Sequence, residues 1–200
     1  LKKLRNQEIE IPLFIGGKEV RTNRTAQAVM PHNHGHVLAT YHLAGEKEVQ
    51  AAIEASQKAW QEWSKTPWET RVAVMKKAAH LISGRYRATM NAAAMLGIAK
   101  NIHQAEIEAV CELTDFLNFN SEFLYHLYAE QPPYSPKGTW NRLEHRPLEG
   151  FVFAVTPFNF VAIAGNLPTA PALMGNVSLW KPASSAVYPA YHVLQILREA

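Results

Sequence analysis

The sequence predicts an α/β protein in which short strands and amphipathic helices lead into the opening of a parallel, doubly wound sheet. Three observations carry that prediction. Phe151-Val152-Phe153-Ala154-Val155 is continuously apolar, the pattern of a parallel strand covered on both faces. A helical stretch containing Pro168 and Pro171, a turn at Gly175-Asn176, a strand over Val177 to Trp180 and a last helix then complete a βαβα order. Ahead of them lie a Gly-Gly punctuated pair of short strands and several stretches with helical apolar spacing.

Composition narrows the classes. A chain of 200 residues with 48% hydrophobic content buries a sizeable core and makes one or two domains. The formal charge of +3 is scattered over 20 basic and 17 acidic residues, with no run of like charges that would grip nucleic acid. One cysteine, Cys111, excludes an internal disulfide framework and a multi-cysteine zinc site, and is consistent with a reducing compartment. No apolar run reaches the roughly 18 residues of a membrane span. No charged leader with an apolar core opens the chain, so any targeting segment is expected upstream or removed.

Ile11 to Ile15 and Lys18 to Arg21 flank Gly16-Gly17, a spacing that favours a tight hairpin. Extended pieces follow over Gln27 to Met30 and Val37 to Leu43, separated by Pro31-His32-Asn33-His34-Gly35-His36. Alternate histidines of an extended segment point opposite ways, and no cysteine or carboxylate joins them, so this segment reads as a polar turn in preference to a metal loop. Helices are expected from Glu46 to Trp63, with Val49, Ile53, Trp60 and Trp63 in register, and from Trp68 through Leu81, with the tryptophans in the core. A third runs from Arg87 to Leu96. The longest covers Ile102 to Tyr128 and would span roughly 40 Å. Its apolar stripe runs through Ala105, Ala109, Leu113, Phe116, Leu117, Leu124 and Leu127, and Glu108, Glu112 and Asp115 share another face as a solvated acidic stripe. Cys111, mid-helix and without a nearby fixed cation, reads as a packed small side chain and not as a nucleophile.

Gln131-Pro132-Pro133 ends that helix, and Thr139 to Arg146 is extended without a clear core face, as an arm whose pairing partner lies elsewhere would be. The βαβα unit beginning at Phe151 is the opening of a Rossmann-type sheet, where ligands bind outside the carboxyl ends of the strands. Those ends carry Thr156 to Asn159 and Lys181 to Ser184. An amide at Asn159 can donate to a developing oxyanion without adding a charge, although Asn also caps helices. Lys181 and Ser184 can reach a ribose hydroxyl or phosphate. The glycine-rich fingerprint common in such sheets is absent.

Thr156-Pro157-Phe158-Asn159-Phe160, Ala172 to Val177 and Trp180-Lys181-Pro182 together resemble the amino-terminal cofactor half of the aldehyde dehydrogenase superfamily. His32 to His36, Gln104 to Glu108 continuing through Glu112 and Asp115-Phe116, and Leu148 to Phe151 narrow the resemblance to the branch that oxidises L-glutamate 5-semialdehyde, and it runs over nearly the whole chain. The resemblance implies an aldehyde dehydrogenase-like fold and oxidation of that aldehyde, in equilibrium with 1-pyrroline-5-carboxylate, to L-glutamate with NAD in proline degradation. It implies attack by a cysteine thiolate, hydride transfer to the nicotinamide and release of the acid by water. By position, Asn159 matches the oxyanion donor. Thr156 and Phe158 match cofactor-lining positions, Lys181 the adenine-ribose contact and Ser184 its neighbour. Phe160 matches an aromatic wall of the aldehyde pocket, and Glu112 a carboxylate beside it.

The same resemblance divides the chain into β segments at 1–45, the helical part of the cofactor-binding domain at 46–130, an oligomerisation arm at 131–149 and the start of the NAD-binding sheet at 150–200. It implies a homodimer or larger homo-oligomer, in the mitochondrial matrix of a eukaryote or the cytoplasm of a bacterium. The helix Tyr188 to Ala200 meets no capping glycine or proline, so the chain is expected to be an amino-terminal fragment, inactive alone, with the nucleophilic cysteine and general-base glutamate downstream. Two departures stand out. Ser184 replaces an acidic residue that many relatives use to hold the ribose, which keeps NADP in play behind NAD, and Ile98-Ala99 stands where close relatives have glutamine and glycine. Another semialdehyde dehydrogenase and a noncatalytic helical or oligomerisation module are the rival readings.

Overall fold

A computed structural model describes residues 1–200. After a single helical turn, α1 (Lys2–Arg5), the chain lays down β1 (Ile9–Ile11), β2 (Leu13–Ile15), β3 (Lys18–Val20), β4 (Thr25–Met30) and β5 (Asn33–His42). Gly16 and Gly17 both take positive φ, 58° and 77°, the backbone of the tight turn that joins β2 to β3 with Ile15 opposite Lys18. The expected strand from Ile11 to Ile15 is two strands. Pro12 has no amide for a ladder, and the chain changes sheet there: β1 pairs in parallel with β5 in a sheet of order β1-β5-β4, while β2 pairs only with β3.

The histidine segment also differs from the expected polar turn. Only Pro31-His32 turns, and β5 already begins at Asn33, with a register irregularity around Val29 absorbing the difference. His36 meets the Arg5 carbonyl at 2.7 Å, so one imidazole ties β5 to the first helical turn.

Helices α2 (Glu46–Trp63), α3 (Trp68–Ser83) and α4 (Arg87–Ile98) fall where apolar spacing puts them. The tryptophans do not form the core. Trp60 and Trp63 are half-buried and use their indole N–H groups as clasps, donating to the carbonyls of Leu148 and Ala172 at 2.8 Å each. An indole N–H needs an acceptor when it leaves water, which favours a seam over an apolar interior.

The long helix is continuous but not uniform. A capping box opens it: Asn101 Oδ1 accepts from the Gln104 amide, and Gln104 Oε1 from the Asn101 amide. One turn, α5 (Ile102–Ala105), runs into a wide π-helical segment over Glu106–Glu112 before α6 (Leu113–Ala129). That wider turn rotates the side chains that follow it and removes Glu108 from the expected acidic face. Cys111 is displaced too: it lies exposed on the π segment instead of packed.

After α6, residues 130–151 form no paired strand, and Trp140 is 77% exposed. The stretch folds against the end of α6, where Gln131 exchanges hydrogen bonds with the Leu143 backbone and the His145 ring stacks on Tyr128 at 5.2 Å. Then come β6 (Val152–Val155), α7 (Val161–Leu173), β7 (Ser178–Lys181), a short 3-10 turn at Ser184–Ala186 and α8 (Val187–Glu199). β6 and β7 are parallel neighbours, Val155 opposite Lys181. Within these 200 residues, the packed helices bury the Ala154 side of β6, and Phe153 on its other side is 58% exposed. No helix is long and apolar enough to cross a membrane.

The main core joins α3, α4, the π segment, α6, α7 and α8 through Ile82, Met90, Val110, Leu113, Val161 and Ile196. A second cluster packs Leu38 and Ala39 of β5 against Ala93 and Leu96 of α4 and Tyr188 of α8. Helix α7 approaches α6 closely at Gly165, where a Cβ would fall 2.6 Å from Leu113 Cδ1. Toward its carboxyl end, the chain that follows ties back to its carbonyls: Ser178 Oγ donates to Pro168 O at 2.8 Å, and the Asn176 backbone amide to Pro171 O at 3.0 Å.

Candidate functional site

The carboxyl ends of β6 and β7 emerge side by side, as parallel pairing requires, and the chain turns there twice. The first turn is Thr156 to Phe160, leading into α7. Thr156 is 3% exposed and doubly tied to the next strand: its amide donates to Lys181 O at 3.1 Å, and its hydroxyl accepts from Trp180 Nε1 at 3.0 Å. Phe158 then swings out, 64% exposed, and Asn159 beside it is exposed with no intramolecular hydrogen bond to its amide side chain. Phe160 is half-buried, with the Lys100 ammonium 4.5 Å above its ring, a cation–π contact.

The alternative role for Asn159, capping the following helix, belongs to another residue. The N-cap of α7 is Phe160, which offers no side-chain acceptor, and the cap comes from Glu108 of the π segment. Its Oε2 accepts from the amides of Val161 at 2.7 Å and Ala162 at 3.3 Å. Glu108 is only 3% exposed, and its Oε1 is buried without a hydrogen-bond partner. Burial pushes its carboxyl above the usual range, the two amides and Lys100 pull the other way, and Glu112 adds to the upward push. Glu112, half-buried as the last residue of the π segment, thus shares a charge neighbourhood with Glu108 and Lys100.

The second turn carries Lys181 and Ser184, both exposed, with side chains that make no hydrogen bond or ion pair within the chain. An ammonium and a hydroxyl held open at the ends of adjacent parallel strands fit the phosphate and ribose of a dinucleotide. Six of the seven predicted site residues therefore resolve into two adjacent turns. Thr156, Phe158, Asn159 and Phe160 form one turn beside the turn of Lys181 and Ser184, and Glu112 reaches the first turn only through the Lys100 and Glu108 neighbourhood. The cysteine takes no part: the Cys111 thiol lies near the Glu106 carboxylate, and partial burial, reinforced by that carboxylate, pushes its pKa up, against thiolate chemistry.

Sequence reasoning missed Glu108 and Lys100. Glu108 is flanked by Ala105, Ala109 and Val110, all buried, but ordinary helical spacing sets it with Glu112 and Asp115, so its inward turn is not written in the local sequence.

This arrangement, a βαβ entry with an exposed amide on the first turn and a lysine on the second, is the opening of a Rossmann-type sheet with its strand ends left open. The chain belongs to the aldehyde dehydrogenase family, whose model matches residues 19–200. It is 54% identical over 192 residues to the probable delta-1-pyrroline-5-carboxylate dehydrogenase of Schizosaccharomyces pombe, covering 96% of this chain and 35% of that protein. It is 50% identical over 196 residues to the mitochondrial delta-1-pyrroline-5-carboxylate dehydrogenase of Emericella nidulans, covering 98% and 34%. Among solved structures, the delta-pyrroline-5-carboxylate dehydrogenase of Mycobacterium tuberculosis bound with NAD superposes with a TM-score of 0.96 at 44% identity, covering 98% of this chain and 37% of that one. The chain thus spans about a third of the length of the relatives it matches.

Proposed function

We propose that this chain is the cofactor-binding part of an enzyme that oxidises L-glutamate 5-semialdehyde, the open form of 1-pyrroline-5-carboxylate, to L-glutamate with NAD in proline degradation. The observation that carries the reading is the 54% identity to a relative of that name, extending over 96% of the chain and through both strand-end turns.

In this reading Asn159 Nδ2–H donates to the aldehyde oxygen as a thiolate adds to the carbonyl carbon and the C=O electron pair moves onto oxygen. Its exposure and lack of an internal partner leave it ready for that contact. Phe160, stiffened by Lys100, walls the aldehyde pocket, and Glu112 lies beside it. Thr156 and Phe158 line the dinucleotide, Lys181 holds its adenine ribose or phosphate, and Ser184 supports the same group. NAD, when bound, supplies the acceptor for the aldehyde's hydride. The thiolate and the base that activates water are assigned to residues outside these 200, since Cys111 is held as a thiol. NAD is preferred to NADP on the likeness to an NAD-bound relative, although Ser184 supplies no carboxylate to reject a 2′-phosphate. Residues 131–149 act as the oligomerisation arm of a homodimer or larger assembly, with Trp140 and Leu143 exposed for the contact. The compartment is the mitochondrial matrix if the source is eukaryotic, as the name of the Emericella relative suggests, and the cytoplasm if it is bacterial.

The test is turnover of glutamate semialdehyde by the full-length gene product with NAD and with NADP, beside a simple aliphatic aldehyde. Reduction of NAD with a clear preference for the semialdehyde is expected. Equal turnover of both aldehydes would transfer the chain to another semialdehyde or general aldehyde dehydrogenase, and no reduction with either cofactor would favour a noncatalytic module.

A further inference from the structure

We propose that Glu108 is a positioning residue for Asn159, clamping the first turn of α7 from the π segment so that the neighbouring amide is left for the substrate oxygen. The inference rests on the reading of Asn159 as the oxyanion donor.

A helix leaves its first amides without intrahelical partners, and a short polar side chain at its start is the usual acceptor for them. Asn159 lies one residue before the N-cap of α7, close enough in sequence to compete for that role, yet Glu108 Oε2 holds both the Val161 and the Ala162 amides. The carboxylate also lies where the helix dipole attracts negative charge. With that end occupied from a different helix, the side chain of Asn159 has nothing within the chain to bond.

A cap alone does not explain the choice. Burying a carboxylate is costly, and here one oxygen finds no hydrogen-bond partner at all, whereas a serine at position 160 would cap α7 without either penalty. Serine there would remove the Phe160 ring from under Lys100. Delivering the cap from outside keeps position 160 aromatic and position 159 unengaged at once. The π segment makes this possible, because its wider turn brings Glu108 inward against α7. Glu106, two residues earlier, is engaged elsewhere by Asn91 at 2.5 Å and by Arg87.

The test is a double-mutant cycle in the full-length enzyme, with kcat, the aldehyde KM and the NAD Kd measured for Glu108→Ala, Glu108→Gln, Asn159→Ala and the double variant Glu108→Ala/Asn159→Ala. Glu108→Ala should lower kcat by roughly tenfold and by at most the about hundredfold that a 1 Å misplacement of a reacting group costs, with the NAD Kd within about twofold of wild type. Glu108→Gln keeps an oxygen for both amides and should recover most of that loss. The double variant should be no slower than Asn159→Ala alone, because Glu108 acts through Asn159. Multiplicative losses in the double variant, or wild-type kcat in a folded Glu108→Ala while Asn159→Ala is slow, would overturn the inference. Wild-type kcat in Asn159→Ala would instead remove the underlying reading. If Glu108→Ala does not fold, the cycle is run with Glu108→Gln, where a small loss that vanishes in the Asn159→Ala background supports the proposal and a loss that persists there overturns it.

Discussion

The two turns at the ends of β6 and β7 lie side by side and are built in opposite ways. The first is gripped from several directions: the Thr156 hydroxyl by the Trp180 indole, the start of α7 by Glu108, and the Phe160 ring by Lys100. The second is held through its backbone, by the Thr156 amide on Lys181 O and the Ala186 amide on Ala183 O, and leaves the side chains of Lys181 and Ser184 in solvent. The difference follows from what each is proposed to do. A donor to a developing oxyanion works only if its position is settled before the reaction, whereas a point charge for a phosphate or ribose tolerates movement and is easier to reach when exposed.

The comparison breaks most directly at Asn159. In the full-length enzyme Asn159→Ala should lower kcat about a hundredfold, the usual loss for one oxyanion donor, and leave the NAD Kd nearly intact. Steady-state kinetics with a parallel binding isotherm checks both halves, and unchanged turnover would remove Asn159 from the mechanism. Lys181→Ala should do the reverse. Loss of one charge-assisted hydrogen bond, about 1.5 kcal/mol, weakens NAD roughly tenfold while kcat at saturating cofactor stays near wild type. A cofactor Kd identical to wild type would refute the contact.

The open turn was the more legible of the two. Lys181 and Ser184 follow from strand order and the rule that ligands meet the carboxyl ends of parallel strands, and neither depends on packing that sequence cannot show. The hairpin at Gly16-Gly17, α2 through α4, and βαβα from residue 152 onward were legible for the same reason: each is written in local spacing and punctuation. The gripped turn was half visible. Asn159 could be named, but its helix-capping alternative stayed open, because the deciding residue lies 51 positions earlier on a segment whose geometry breaks the 3.6-residue period. Projected on an ordinary helix, Glu108 joins Glu112 and Asp115 on a wet face. One π turn moves it into the core, and nothing in the local composition, neither glycine nor proline, announces that turn.

A smaller effect sharpens the contrast at Thr156. Thr156→Val keeps the shape of the buried side chain but removes the acceptor of the Trp180 indole N–H, leaving a half-buried donor unpaired. Stability should fall by about 1–2 kcal/mol, measured by denaturant unfolding of the 200-residue chain or the full enzyme. Trp180→Phe, which removes donor and leaves a hydroxyl that can turn elsewhere, should lose less through this contact. Equal stability of Thr156→Val and wild type would mean that the tie between the two strands contributes nothing net.

The smallest effect lies under the gripped turn, at Ala99. This residue caps α4 in the left-handed region with φ of 55°, the only non-glycine residue with positive φ, and both its own amide and that of Lys100 fold back on Ala94 O. An L side chain there is strained by roughly 1 kcal/mol. Ala99→Gly relieves the strain but loosens the unfolded chain, so the net gain should be modest, about 0.5 kcal/mol in the unfolding free energy. The informative comparison is with activity. Lys100 follows directly, and the strained cap helps fix where its ammonium meets the Phe160 ring. If Ala99→Gly raises stability and lowers kcat together, the strain serves the turn that presents Asn159. If it raises stability and leaves kcat alone, Lys100 is held well enough by its contact with Phe160, and the rigidity of the first turn comes from Glu108 and Trp180.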